Sequence, residues 1–147
     1  MFGHGRDDVL FGGTGHDYIN SFGGDDHIDG GAGNDMLYGN DGKDKIYGGA
    51  GKDLIRAGGA EDKVYGGDGD DDIEAGNGQD DVHGDAGDDK IYGGRGADDL
   101  WGGSGNDTIR GGVGADILRG EEGDDILLGG YSRNGSDSES ASDDDRT

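Results

Sequence analysis

An aspartate recurs every nine residues along this chain, and that period limits what the chain can fold into. From Gly12 to Leu128 the sequence divides without a gap into thirteen nine-residue units, among them GGTGHDYIN (Gly12–Asn20), GGAGNDMLY (Gly30–Tyr38), GGAGKDLIR (Gly48–Arg56) and GGSGNDTIR (Gly102–Arg110). A fourteenth, degenerate unit reads FGHGRDDVL from Phe2 to Leu10, with Phe11 as a one-residue insertion after it. The sixth position is Asp in every unit: Asp7, Asp17, Asp26, Asp35, Asp44, Asp53, Asp62, Asp71, Asp80, Asp89, Asp98, Asp107, Asp116 and Asp125. The eighth is Val, Ile or Leu throughout, from Val9 and Ile19 to Leu127, and the fourth is Gly except at Ala60. A disordered chain has no reason to keep such a register over 117 residues. The pattern predicts a solenoid.

Each unit reads as a glycine-rich loop followed by a very short strand. Positions one to six suit a turn with positive φ rather than a ladder. At position two, Asn40 and Asp85 replace glycine with the residues that best tolerate that region, while Phe22 and Glu121 do not fit. Positions seven to nine alternate out, in, out, so the aliphatic at eight faces inward. One unit cannot bury a lone Ile; stacked units build a continuous column of them.

Composition narrows the function. Leu, Ile, Val and Phe supply only 23 of 147 residues, and 35 Asp and Glu stand against 12 Lys and Arg, a net charge of -23. So little apolar material excludes a conventional two-layer core. With acid so far in excess of base, nucleic acid is not expected as a partner. No apolar run reaches the length of a membrane span, and the N-terminus lacks the apolar stretch of a cleavable signal peptide. Without cysteine there are no disulfides, thiolate metal sites or cysteine nucleophiles. Such a chain either stays open or folds around something positive.

The motif G-G-x-G-x-D-x-U-x resembles the calcium-binding repeats-in-toxin (RTX) family, also called haemolysin-type repeats, across residues 2–128. The resemblance implies an all-β, right-handed parallel β-roll in which two nonapeptides make one 18-residue coil, about seven coils in all. It also implies calcium held between stacked loops. One loop lends the carbonyls of positions two and four, its partner those of positions one and three, and both lend the Asp. Beside the fourteen aspartates, the expected glycine ligands are Gly13, Gly15, Gly31, Gly33, Gly49, Gly51, Gly67, Gly69, Gly94, Gly96, Gly103, Gly105, Gly112 and Gly114.

The chemistry agrees with that expectation. Loops two units apart stack, so Asp17 lies over Asp35 and Asp35 over Asp53. Carboxylates about 5 Å apart repel by on the order of 3 kcal/mol at an effective dielectric of 20. Calcium takes six to eight oxygen ligands in forgiving geometry, whereas magnesium holds its water and wants a tighter octahedron. Residues 1–128 carry a net charge of -20, and six gaps on each edge would admit up to twelve ions. Phe22, Ala60 and Glu121 break their loops, so about eight to ten sites are expected to fill.

Rival motifs are weaker. Asp68–Glu74 lacks the glycine and terminal-Glu spacing of an EF-hand, and the Gly-Lys-Asp triplets at 42–44 and 51–53 lack the Ser/Thr of a phosphate loop. His4, His16, His27 and His83 occupy four different unit positions and form no catalytic set. The repeats begin at residue 2 with no catalytic segment before them, so the chain is expected not to be an enzyme. The alternative is a non-catalytic module of a larger secreted protease, lipase, epimerase or toxin. An ice-binding array of Thr and Asx is absent from position three, where one edge reads Thr14, Ala32, Ala50, Asp68, Ala86, Ser104 and Glu122.

Position nine of alternate units reads Tyr47, Tyr65, His83, Trp101 and Arg119, one above another on a single face. That stripe is either a ladder stabilising the sheet or a platform for a polysaccharide or cell-surface partner. Arg56 sits between Tyr38 and Glu74, placed for an ion pair between coils. Phe2, Phe11 and Phe22 are expected to cap the first coil, and Ile117, Ile126, Leu127, Leu128 and Tyr131 to face outward at the other end. Open terminal coils leave room for end-to-end self-association. Residues 1–130 form the roll, and the Ser/Asp-rich residues 131–147 a disordered acidic tail. The resemblance further implies secretion through a type I exporter, although the tail shows neither the folded cap nor the secretion signal usual there.

Overall fold

The computed structural model describes residues 1–130 and 140–142. Fifteen strands follow one another: β1 Val9–Thr14, β2 Tyr18–Asn20, β3 His27–Ala32, β4 Met36–Asp41, β5 Lys45–Ala50, β6 Leu54–Gly59, β7 Lys63–Asp68, β8 Asp72–Asn77, β9 Asp81–Ala86, β10 Lys90–Arg95, β11 Asp99–Ser104, β12 Thr108–Val113, β13 Ile117–Glu122, β14 Ile126–Leu128 and β15 Ser140–Ser142. Odd strands form one eight-stranded sheet and even strands one seven-stranded sheet. Every pairing is parallel, and from β1 to β14 partners are offset by 18 residues, as in Ile46 against Val64 and Ile55 against Ile73. The molecule is an all-β solenoid of about seven coils. No helix among the described residues is long and apolar enough to cross a membrane.

Two inward columns make the core. Leu10, Ile28, Ile46, Val64, Val82, Leu100 and Leu118 line one sheet; Ile19, Leu37, Ile55, Ile73, Ile91 and Ile109 line the other, all buried. Position one also turns inward and admits only small residues, where Ala57, Ala75 and Ser21 replace glycine and are themselves buried.

Four local expectations need correction. Most strands are six residues long, running from position seven through position three of the next unit, so the loop shrinks to positions four to six. Glycine does not prevent this, because ladder hydrogen bonds come from the backbone of the coil above whatever the side chain.

The first unit is in phase, without insertion. Leu10 pairs with Ile28 and is buried, while Val9 is 64% exposed and Phe11 pairs with Asp29 at position nine. The unit therefore runs from Gly3 to Phe11, and Asp8, not Asp7, holds its sixth position.

Phe2, Phe11 and Phe22 do not plug the first coil. All three rings are at least half exposed; Phe2 stacks on Phe22 at 6.2 Å and leans on Tyr18 at 5.9 Å, as a surface cluster. The end of that coil is covered instead by backbone, with Phe2 bridged to Asn20 and Gly3 N–H donating to the Asn20 carbonyl at 2.9 Å.

At the far end Ile117, Ile126 and Leu128 face outward as expected, but Leu127 packs against the core in continuation of its column. Within the tail, Ser140–Ser142 forms a strand paired with β13, which would otherwise present an open edge. The expected outward Tyr131 and the rest of the tail lie outside the described residues.

Candidate metal centre

The sixth-position aspartates form two ladders, one along each edge of the roll. In each ladder the backbone N–H of one Asp donates to Oδ1 of the Asp one coil on: Asp17 to Asp35, Asp35 to Asp53 and Asp53 to Asp71 at 2.8 Å, Asp71 to Asp89 and Asp89 to Asp107 at 2.8 Å. The other edge repeats this from Asp8 to Asp26 at 2.8 Å through to Asp98 and Asp116 at 3.1 Å. From Asp26 and Asp35 onward, one oxygen of each carboxyl is thereby fixed in place.

The second oxygen is not satisfied. Oδ2 of Asp17, Asp26, Asp35, Asp44, Asp53, Asp62, Asp71, Asp80, Asp89, Asp98, Asp107 and Asp125 is buried and has no hydrogen-bond partner. A buried acceptor without a partner costs about 1–3 kcal/mol, and more when ionised. Repeating that defect seven times along one edge and five along the other marks a place built for something else.

The titration behaviour follows from the burial. It pushes the carboxyl of Asp62 up to about 8, those of Asp71, Asp89 and Asp98 to about 7, and those of Asp44 and Asp107 to about 6. Asp53, Asp80 and Asp116 move the same way, for the same reason. The amide on Oδ1 and the carboxylates of adjacent coils act in opposite senses and leave desolvation dominant.

Backbone oxygens complete the surroundings. The position-three carbonyls are engaged: Ala32, Ala50 and Asp68 accept the N–H of Gly15, Gly33 and Gly51, each at 2.7 Å. The position-four carbonyls, from Gly15 to Gly123, accept no protein hydrogen bond among the described residues. Space beside Oδ2 exists because position one is small. A Cβ on Gly30 would lie 2.6 Å from both Oδ2 of Asp35 and the carbonyl oxygen of Gly48. At position two the left-handed region is occupied even where the residue is not glycine, with φ of 72° at Asn40, 76° at Asp85, 77° at Phe22 and 75° at Glu121.

Among the described residues no three Asp, Glu or His side chains converge on one point. An ion here would be held by carboxylates one coil apart together with loop carbonyls. Such an all-oxygen, anionic and partly buried donor set fits a hard divalent cation.

The expected ligand residues fall into place unevenly. Thirteen of the fourteen aspartates belong to the ladders; Asp7 instead accepts the Asp25 N–H at 3.0 Å, one position earlier in its unit. Asp8 was not foreseen, because Asp7 and Asp8 are adjacent and either could head the ladder. The expected position-two and position-four glycines line the loops on both edges at positive φ, except Gly114. A further row at position five also went unread. Asn34, Asp70, Asp88 and Asn106 use Oδ1 to accept a backbone N–H from an adjacent coil. Its signal in the sequence is the frequency of Asn and Asp at that position on one edge.

The outer stripe is a stack. Ring centroids of Tyr47, Tyr65, His83 and Trp101 follow at 5.0, 5.0 and 4.4 Å with interplanar angles of 11°, 9° and 4°. The Arg119 guanidinium closes it 4.7 Å over Trp101. The ring faces that would meet a sugar are covered by each other. On the opposite face Arg56 bridges to Glu74 at 2.9 Å and to Asp72 at 3.0 Å.

A family model described as the RTX calcium-binding nonapeptide repeat (4 copies) matches residues 2–37, 38–73, 47–82, 74–109 and 101–130. No curated protein matches the chain.

Proposed function

The chain belongs to the RTX calcium-binding nonapeptide repeat family, and from that premise we propose that calcium is what folds it. The supporting observation is the set of twelve buried Asp Oδ2 atoms without partners. Asp residues of successive coils, together with loop carbonyls such as those of position four, would hold the ions. The ions supply positive charge between like-charged coils; the chain supplies the spacing.

Ion binding and folding are then one equilibrium, because the two carboxylates of a site come together only in the coiled state. Where free calcium is low the chain stays open, as inside a producing cell. At millimolar external calcium it closes into a rigid rod carrying about eight to twelve ions. This reading suits a protein exported unfolded that acts outside the cell as a structural or adhesive module.

Far-UV circular dichroism of the calcium-depleted protein, followed through a calcium titration with magnesium in parallel, tests it. A steep coil-to-β change with calcium alone is expected. A full β-spectrum in chelator, or an equal response to magnesium, refutes the proposal.

A further inference from the structure

Five of the ten Lys and Arg side chains among the described residues are held in ion pairs. Lys43 pairs with Glu61, Lys52 with Asp70, Lys63 with Asp81, Arg56 with Asp72 and Glu74, and Arg119 with Asp99. Lys90, Arg95 and Arg110 form no ion pair among the described residues, and they lie together around Tyr92 on the outer face of the seven-stranded sheet. Arg110 is the strand neighbour of Tyr92, and Lys90 and Arg95 flank it along β10. Tyr92 is 39% exposed and, unlike the tyrosines of the opposite face, has no ring stacked on it among the described residues.

Two adjoining clefts meet at this tyrosine. One of about 260 Å³ is lined by Lys90, Arg110 and Leu128 together with Asp72 and Glu74; the other, of about 210 Å³, by Asn77, Arg95 and Glu74. Asp72 and Glu74, the acids within reach, are both held by Arg56. The result is a cationic strip about 16 Å long, five residues of strand at roughly 3.3 Å each. Tyr92 stands in its middle, 39% exposed, between Glu74 and Arg110 on the adjacent strands.

We propose that this strip binds an acidic polysaccharide. Tyr92 offers a flat face to the C–H side of a sugar ring, and Arg110 a planar fork for its carboxylate, with Lys90 and Arg95 meeting charges on the neighbouring rings. A regular polymer with one carboxylate per ring matches a strip whose cations are spread along the strand direction. The proposal rests on the calcium-folded reading above, and charge sets the condition. With -20 on residues 1–128 the metal-free chain repels a polyanion, whereas neutralisation of the two loop edges leaves the strip as the prevailing local field.

Isothermal titration of the calcium-loaded full chain with a linear galacturonic acid trimer tests this, with neutral maltotriose and a tetra-aspartate peptide as comparisons. Circular dichroism of every sample in calcium reports folding separately, so an unfolded chain is not mistaken for an empty strip. The acidic trimer is expected to bind and maltotriose not. Tyr92→Ala and Arg110→Ala should each weaken binding about tenfold, a change of about 1.4 kcal/mol, while Tyr47→Ala on the opposite face leaves it unchanged. No binding by the folded protein overturns the proposal. So does equal binding of the aspartate peptide, or indifference to both substitutions.

Discussion

A ladder aspartate within the roll, such as Asp71, carries one satisfied oxygen and one orphan, and its protonation state decides what the residue does. Asp62 titrates near 8 in the closed roll, and Asp71, Asp89 and Asp98 near 7, against about 3.9 for an open chain. Between those values the closed metal-free roll binds more protons than the open chain, so its stability falls as pH rises. Acid should therefore substitute in part for calcium. In calcium-depleted buffer the β-signal at pH 5 is expected to exceed that at pH 8; an equal or reversed order would contradict the burial of these groups. Calcium competes for the same oxygens, so its apparent affinity should drop from pH 8 to pH 6, with protons released on binding. Replacement of one central ligand, Asp71→Asn, removes a charge from the sites on either side and is expected to raise the calcium midpoint severalfold. The other residue with a calculable effect is Ala60, which holds φ at 84° where other units place glycine. An L-residue there costs roughly 1–2 kcal/mol, so Ala60→Gly should stabilise the calcium-loaded roll by about 1 kcal/mol in urea unfolding.

At the level of strands, the period was readable and the phase was not always so. Asp at six and an aliphatic at eight set the nine-residue register, and the 18-residue coil that the family resemblance implies then places Tyr47, Tyr65, His83 and Trp101 on one face. The first unit defeated the same logic. Asp7-Asp8 and Val9-Leu10 are tandem pairs, so the pattern fits equally well one residue earlier; only pairing with β3, Leu10 against Ile28, selects the phase. Strand length was also hidden, since positions one to three look like loop in composition and become strand through hydrogen bonds to a neighbouring coil. Of the candidate site, the aspartates were legible because a single residue type recurs. The orphaned Oδ2 and the free position-four carbonyls were not, because both depend on how coils abut. The aromatic stack makes an element-scale prediction. Tyr65→Ala removes two ring contacts, each worth about 0.5–1.5 kcal/mol beyond area. It should lower the stability of the calcium-loaded roll by about 1–3 kcal/mol in urea unfolding, without changing the number of ions bound. A loss of ions would mean that the outer face and the loops are coupled.

For the molecule as a whole, coils contact only their neighbours, and a roll of this kind should behave as a sum of equal pieces. Removal of residues 66–83 takes out one complete coil and joins Tyr65 to Gly84 with the alternation of faces intact. In the shortened chain the inward columns stay continuous, since Val64 would meet Leu100 and Ile55 would meet Ile91. Tyr65 would stack on Trp101, and each Asp ladder would lose one rung. Nearest-neighbour additivity then fixes three outcomes. The shortened chain still folds with calcium by circular dichroism. Its ion count falls by two, one per edge, in a calorimetric titration. Its urea m-value drops by about a seventh, in proportion to the surface removed. The charge balance points the same way, because the deleted coil takes acids and ion sites out together and leaves the remaining coils no more repulsive than before. Complete loss of folding would show instead that this central coil, which carries Asp71 and Asp80, nucleates the rest. In that case stability would be concentrated in one segment rather than distributed along the rod.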